Sequence, residues 1–420
     1  MGRAARGPRG PGGTGGAALN GEIEAAGTGG GAPSGNTGAP SGNTGAPSGN
    51  TGAPGGNTGA PGGNTGAPSG DLDVREARPE DRPRWDAFVR GLPSADPLQA
   101  WGWGEVARTG GEQPTRIFAA DRDGRIRGVA QVLVRDAAAG RRILYAPHGP
   151  AWDARAADGE VVLGTMLEGL RREGKRQRGI VVKVDPRATG AASSAALRSM
   201  LLARGLRPAR ADLQAATTRV LDLRPGAEAV FAALEKDTRN LVRRAGREGV
   251  RTRLVRDDDA RALEDFSRLL AATGSRAGFR VRSGAAFEAL AREFAPGGDA
   301  YLVLAELGGE VIAGCLALAT GPRAFYLYAA SLREDRLRHA NGPYAALWAC
   351  IEALAADGRE TLDLWGVVEP GDAAAEPGWA GFSLFKRGFG GSPLRHPGTF
   401  DLVLSPAWYA IRDLRERLRR

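Results

Sequence analysis

Two hydrophobic periods alternate along residues 71–398, and their order repeats. Asp71 to Ala77 alternates like a strand. Glu80 to Leu92 carries Trp85, Phe88 and Val89 at helical spacing on one face. A second helix is expected from Gln99 to Thr109, entered after Pro97. Arg116 to Asp121 and Gly128 to Arg135 read as strands paired around Asp123-Gly124, a strong hairpin signal. A short strand at Arg142–Tyr145 runs into Ala146-Pro147-His148-Gly149-Pro150. A helix (Gly159–Gly174), a strand (Gly179–Val184) and a helix (Ala191–Arg204) follow.

The same order then recurs. Thr217–Leu223 is a strand, Ala227–Glu248 one long basic helix and Arg251–Val255 a strand. Asp258–Gly274 and Ser283–Phe294 are helices. Tyr301–Leu307 and Glu310–Thr320 form a hairpin about Gly308-Gly309. Arg323–Ala330 is a strand, Asn341–Asp357 a helix and Thr361–Trp365 a strand. Two successive α/β units are expected, at 71–210 and 211–398. On this reading Tyr326 and Tyr328 share one strand face, ahead of Asn341, Tyr344 and Trp348 on the next helix.

Residues 1–70 stand outside this pattern. From Gly31 to Thr65 a seven-residue Gly-Ala-Pro-Ser/Gly-Gly-Asn-Thr unit repeats without a bulky apolar residue. Such a run cannot offset its ordering entropy by burial, so a disordered tail is expected. Collagen is excluded because glycine does not fall at every third place.

The chain carries a net charge of +9, of which the tail accounts for +1. The remaining surplus is mostly arginine and fits a polyanionic partner or an anionic membrane face. Abundant Arg, Ala and Gly with little Lys fits a GC-rich genome equally well, so charge alone decides little. No apolar run approaches the ~20 residues of a membrane span. Cys315 and Cys350 lack metal or redox spacing. A soluble cytoplasmic protein is the expectation.

Hydrolytic and metal motifs are absent: there is no His-x-x-x-His, Cys-x-x-Cys, phosphate-binding Gly-Lys-Ser/Thr loop or Gly-x-Ser-x-Gly elbow. No metal or cofactor is expected. His148, His339 and His396 are far apart in sequence, and His148 in its Pro/Gly-rich turn reads as a loop residue. Three clusters remain. Gln99-Ala100-Trp101-Gly102-Trp103-Gly104 opens a helix with a side-chain amide that a core does not need. Arg239, Arg243 and Arg247 recur at four-residue spacing on one helix face, which suits solvent or phosphates. Phe382-Ser383-Leu384-Phe385-Lys386-Arg387-Gly388-Phe389-Gly390-Gly391 sets one lysine among phenylalanines and before glycines. Buried there, Lys386 would need an anion or a developing negative charge opposite it.

Nine segments in order resemble the Fem family of peptidoglycan interpeptide-bridge aminoacyltransferases. They are Leu98–Trp103, Tyr145–Pro150, Lys183-Val184-Asp185-Pro186, the Arg239–Val250 helix, Gly278–Ser283, Phe325–Ser331, Asn341–Tyr344, Leu364-Trp365-Gly366 and the Lys386 segment. The resemblance spans about residues 72–410. It implies two tandem GNAT-like domains, with 399–420 returning to the first. It also implies aminoacyl-tRNA as donor and a nucleotide- or lipid-linked peptidoglycan precursor as acceptor, with a peripheral contact at the inner membrane face compatible with both.

By the same resemblance, Lys386 would stabilise the oxyanion formed when a stem-peptide amine attacks the aminoacyl ester, and Asp185 is a candidate base. Gln99, Trp103, Arg108, Arg282, Tyr328, Tyr344 and Phe389 are the expected substrate contacts, and Arg239, Arg243 and Arg247 the expected tRNA contacts. Two positions depart from the family. Ala286 or Phe287 falls where a tyrosine often follows Arg282, and Ala107-Arg108 where a lysine is common. Two other readings stay open: an acyl-CoA-dependent GNAT N-acyltransferase, and a non-catalytic module binding RNA or an envelope polymer. Arg338-His339-Ala340-Asn341-Gly342-Pro343 lacks the spacing of a CoA pyrophosphate loop.

Overall fold

The computed structural model describes residues 72–256, 259–277, 281–370 and 380–418. The repeat tail and Gly278–Arg280 lie outside the described residues. The first half of the chain runs β1 (Asp73–Glu76), α1 (Arg82–Gly91), α2 (Trp101–Arg108), β2 (Gln113–Ala120), β3 (Ile126–Asp136), β4 (Arg142–Ala146) and β5 (Ala151–Trp152). It continues through α3 (Gly159–Arg176), β6 (Gly179–Val184), α4 (Ala191–Ala203) and β7 (Arg207–Pro208). Strands β1 to β4 pair antiparallel in sequence order. β4 then pairs parallel with β6, as the α3 crossover requires.

The second half begins with β8 (Thr217–Asp222), α5 (Ala227–Ala233), α6 (Lys236–Arg247), β9 (Arg251–Val255), α7 (Ala260–Ala277) and α8 (Gly284–Phe294). β10 (Ala300–Leu307), β11 (Glu310–Thr320), β12 (Arg323–Ser331), α9 (Gly342–Ala356) and β13 (Thr361–Gly366) follow. α10 (Ala380–Gly388), β14 (Ser392–Arg395), β15 (Phe400–Val403) and α11 (Pro406–Leu418) end it. Strands β9 to β12 pair antiparallel in order and β12 pairs parallel with β13 across α9, the arrangement of the first sheet again. The chain end is shared: β14 joins β8 in the second sheet, whereas β15 lies between β6 and β7 in the first.

The second sheet is covered on both faces. One face packs α5, α6, α9 and α10 through Val230, Ala245, Leu347 and Phe385. The other packs α7 and α8, and into that same core come Leu98, Trp103 and Val106 from the first domain. Helix α2 is therefore a strut between the two halves. Gly102 permits it, since a Cβ there would sit 2.8 Å from Glu293 Cβ on α8. Arg82–Glu293 (2.9 Å) and Arg90–Asp299 (3.1 Å) ion pairs flank the strut.

Three local expectations change. The long basic helix divides at Leu234-Glu235: buried Leu234 is extended, Glu235 N–H donates to Gly388 O (3.0 Å), and Arg239 donates to the Ala232 and Leu234 carbonyls. The Lys386 segment, which the sequence leaves without an assigned element, is a helix. Tyr326 and Tyr328 do not share a face: Leu316 pairs with Tyr328 and Ala317 with Tyr326, so a bulge at Leu327 turns them into opposite cores.

Candidate functional site

The two halves meet where equivalent strands end. Asp185 follows β6, the Pro147–Pro150 turn follows β4, and Trp365-Gly366 closes β13. Asp185 is buried and accepts hydrogen bonds from Tyr145 Oη (2.8 Å) and His148 N–H (2.6 Å). Burial raises its carboxyl above the ordinary value, against the opposing pull of His148, Tyr145 and Arg187. The Tyr145 phenol is pushed well up by burial and by the Asp185 charge.

His148 lies in the turn after β4, as its Pro/Gly-rich setting suggests. Its backbone is left-handed (φ 54°), its ring is buried, and its Nδ1 meets Asp96 Oδ2 at 2.8 Å. The ring lies 5.0 Å from that of Trp365, whose own φ is 62°. Two non-glycine residues in this conformation, face to face across a domain seam, mark stored strain. Burial raises the Asp96 carboxyl, but His148, Arg187 and the Leu98 N–H together carry it below the ordinary value.

His396, distant in sequence, joins the same cluster. Its Nδ1 accepts from Ala188 N–H (3.2 Å), and burial, Arg187, His148 and Arg323 drive its pKa well below 6.5. Arg187 approaches Asp363 Oδ2 (3.7 Å) and the Trp365 ring (5.7 Å). Asp363 Oδ1 in turn accepts from Thr218 Oγ1 and from Trp365 N–H (2.7 Å). Among the described residues, His148 Nε2, His396 Nε2 and Arg187 Nε are buried with no hydrogen-bond partner. The sequence separations of 37 to 248 residues between His148 and its neighbours hide this cluster; the only local sign was a histidine held between prolines.

Lys386 reaches the end of β13 from α10. It is 1% exposed, donates to Gly366 O (2.8 Å), and lies 3.7 Å from the Phe382 ring and 5.8 Å from the Tyr326 ring. Phe382, Phe385 and Phe389 at helical spacing, with Lys386 among them, were the signal for α10 that the glycines concealed. Phe385, Phe389 and half-buried Tyr344 form one aromatic cluster with centroids 4.9–6.1 Å apart. Gly388 lies against Thr238 of α6 with no room for a Cβ, and Gly391 takes φ 76° against Val220 O. The basic helix α6 and the lysine helix are thus directly packed.

The expected substrate contacts fall into two groups. Gln99 is fully buried and spent inside the first domain, donating to Pro147 O (2.7 Å) and Gln131 O (3.3 Å) and accepting from Gln131 N–H (2.9 Å). It is a clamp, and the packing leaves it no access to a ligand. Trp103, Tyr328 and Phe389 are likewise core side chains. Arg108 is exposed and paired with Glu105 (2.9 Å). Arg282 caps the Trp103 ring (5.2 Å) and lines a cavity of about 630 Å³ with Arg135, Glu112, Ser283 and Ala286. The small Ala286 side chain contributes to that open volume. On α6, Arg243 stacks over Phe231 (5.1 Å) and Arg247 is exposed. No set of three His, Cys, Asp or Glu side chains suited to a metal ion occurs among the described residues.

Residues 232–375 match the acetyltransferase (GNAT) domain family. The solved structure of FemX superposes with a TM-score of 0.70 at 21% identity, covering 81% of this chain and 99% of that one. This is a Fem-like tandem GNAT fold. The structure of L-PGS from Bacillus licheniformis superposes with a TM-score of 0.50 at 12% identity over 82% of this chain and 97% of that one. In sequence, 233 residues are 28% identical to the lipid II:glycine glycyltransferase of Staphylococcus aureus (strain MRSA252). The match covers 53% of each protein, so the chain spans about half the length of the relatives it matches in this way. No helix among the described residues is long and apolar enough to cross a membrane.

Proposed function

We propose that the protein is an aminoacyltransferase that moves an amino acid from aminoacyl-tRNA to a stem-peptide amine of a peptidoglycan precursor, as in interpeptide-bridge formation. The observation that carries this reading is Lys386: a buried ammonium that donates to the Gly366 carbonyl beside the Phe382 and Tyr326 rings, on a helix packed against the basic helix α6. A fixed cation in a water-poor setting suits an oxyanion, because it needs no reorganisation as charge develops. The glycyltransferase relative and the FemX fold support the choice of reaction.

In this reading the acceptor amine attacks the aminoacyl ester carbonyl. Negative charge builds on the carbonyl oxygen toward Lys386, the new C–N bond forms, and the ester C–O bond breaks, the departing ribose oxygen taking up the proton that the amine gives up. The amine must lose a proton, and Asp185 is the candidate acceptor, since burial raises its proton affinity. Both groups neighbour the end of β13, Asp185 through His148 and its contact with Trp365, and Lys386 through Gly366 O. Exposed Arg247 and neighbouring Arg243 offer contacts for the tRNA backbone. Arg282 and Arg135 give the 630 Å³ cavity cationic groups for the phosphates of a nucleotide- or lipid-linked acceptor.

The test is to incubate the full chain with labelled aminoacyl-tRNA or labelled acetyl-CoA, each with a nucleotide-linked and a lipid-linked muropeptide. Transfer from aminoacyl-tRNA to the peptide amine is expected. Product from acetyl-CoA alone would replace this reading by the N-acyltransferase one. Absence of product from either donor, with RNA or polymer still bound, would make the chain a binding module.

A further inference from the structure

Helix α11 leaves an apolar stripe in solvent. Ile411, Leu414 and Leu418 recur at the i, i+3, i+7 spacing of one stripe, and they are 42%, 57% and 78% exposed. The face turned to the protein carries half-buried Trp408, Tyr409, Arg412 and Asp413. Tyr409 donates to Asp401 (2.7 Å), Asp413 approaches Arg210 (3.8 Å), and Arg141 lies over the Trp408 ring (5.3 Å). Ala407 and Ala410 are exposed on the apolar side as well, and exposed Arg415 borders it. Residues 412–420 contain five arginines against Asp413 and Glu416, a local charge of +3.

We propose that α11 docks the protein on the surface of an anionic lipid bilayer, lying in the plane of the interface. An apolar stripe bordered by arginine is what such a surface takes, the leucines entering the acyl boundary while guanidinium groups meet lipid phosphates. Charge complementarity favours lipid over a second copy, because two α11 stripes in contact would bring two +3 segments together. The inference stands apart from the transfer reaction, since binding to bare vesicles needs neither donor nor acceptor.

The experiment is co-sedimentation of the full chain with phosphatidylcholine vesicles, with and without phosphatidylglycerol. Binding is expected only with phosphatidylglycerol, and it should weaken as salt rises from 0.1 to about 0.5 M. Ile411→Ser/Leu414→Ser should lower the vesicle partition coefficient about tenfold or more. Its melting temperature should stay unchanged, because both side chains are already exposed. Arg415→Glu should lower binding at low salt more than at high salt. No binding to anionic vesicles, or equal binding by the double serine variant, would overturn the proposal. A double serine variant that turns a dimer into a monomer, without changing vesicle binding, would assign the stripe to a second copy instead.

Discussion

Replacing Lys386 by methionine separates what the lysine does for the fold from what it does for the reaction. Methionine keeps the length of the side chain and removes the charge. The wild-type ammonium gains a charged hydrogen bond to Gly366 O, worth about 1.5–3 kcal/mol. It also gains a desolvated cation–π contact with Phe382, worth about 2 kcal/mol. Against these stands the cost of burying an ammonium, several kcal/mol even after relaxation. Lys386→Met removes these gains and the burial cost together, so its effect on the unfolding midpoint should be smaller than that of stranding the ammonium without its partners. The transition state is different. Losing one preorganised group at an oxyanion removes about 2.7–4 kcal/mol, a fall in kcat of about 10²–10³. The assay is single-turnover aminoacyl transfer on folded protein, normalised to the urea unfolding midpoint. Turnover within about threefold of wild type in a folded variant would refute the oxyanion role. Loss of the fold itself would make the lysine structural.

Three further outcomes are expected. His396 resists protonation when folded but not when unfolded, so the unfolded chain binds more protons below pH 6.5 and stability falls as pH falls through that value. His396→Asn, which keeps an acceptor for Ala188 N–H, should shrink the stability difference between pH 7.5 and 5.5 in denaturant titrations by on the order of 1 kcal/mol; an unchanged difference would exclude His396 as its source. Gly102→Val should cost about 1–3 kcal/mol of stability by overpacking the α2–α8 contact, read from the unfolding midpoint, and a neutral result would mean that the strut can shift freely. Arg247→Glu should weaken aminoacyl-tRNA binding and reduce the slope of log K against log salt by about one; an unaltered slope would remove α6 from the tRNA interface.

The repeated order of elements was legible because each strand and helix writes its own period, and short hairpins such as Asp123-Gly124 and Gly308-Gly309 write their turns locally. What escaped was decided by distant partners. Leu234 and Glu235 carry no breaker, yet Gly388 O, more than 150 residues away in sequence, takes the Glu235 amide and ends the helix there. The Leu327 bulge likewise depends on the register with β11, which period-two reading of β12 alone cannot supply. Gln99 shows the same limit at a single side chain. A buried amide reads equally as a ligand contact or a clamp until its acceptors, Pro147 O and Gln131 O, are brought to it.

The seam cluster carries this one step further. Asp96, His148, Asp185, Arg187 and His396 come from loops and strand ends of both halves and Asp363 from within β13, and none has a neighbour within its own motif that announces chemistry. The repeated architecture accounts for their meeting: the crossover strands β6 and β13 end in equivalent places, and α2 holds those ends together through a shared apolar core. The strut therefore determines the cluster as much as the polar residues do. Separating α2 from α8 would expose His148 and Trp365, release their left-handed backbones, and disperse the charges around Asp185 at once. A site assembled in this way should be lost cooperatively with the domain contact. Gly102→Val should then lower transfer activity and raise solvent access to Trp365 together, whereas Lys386→Met should lower activity alone.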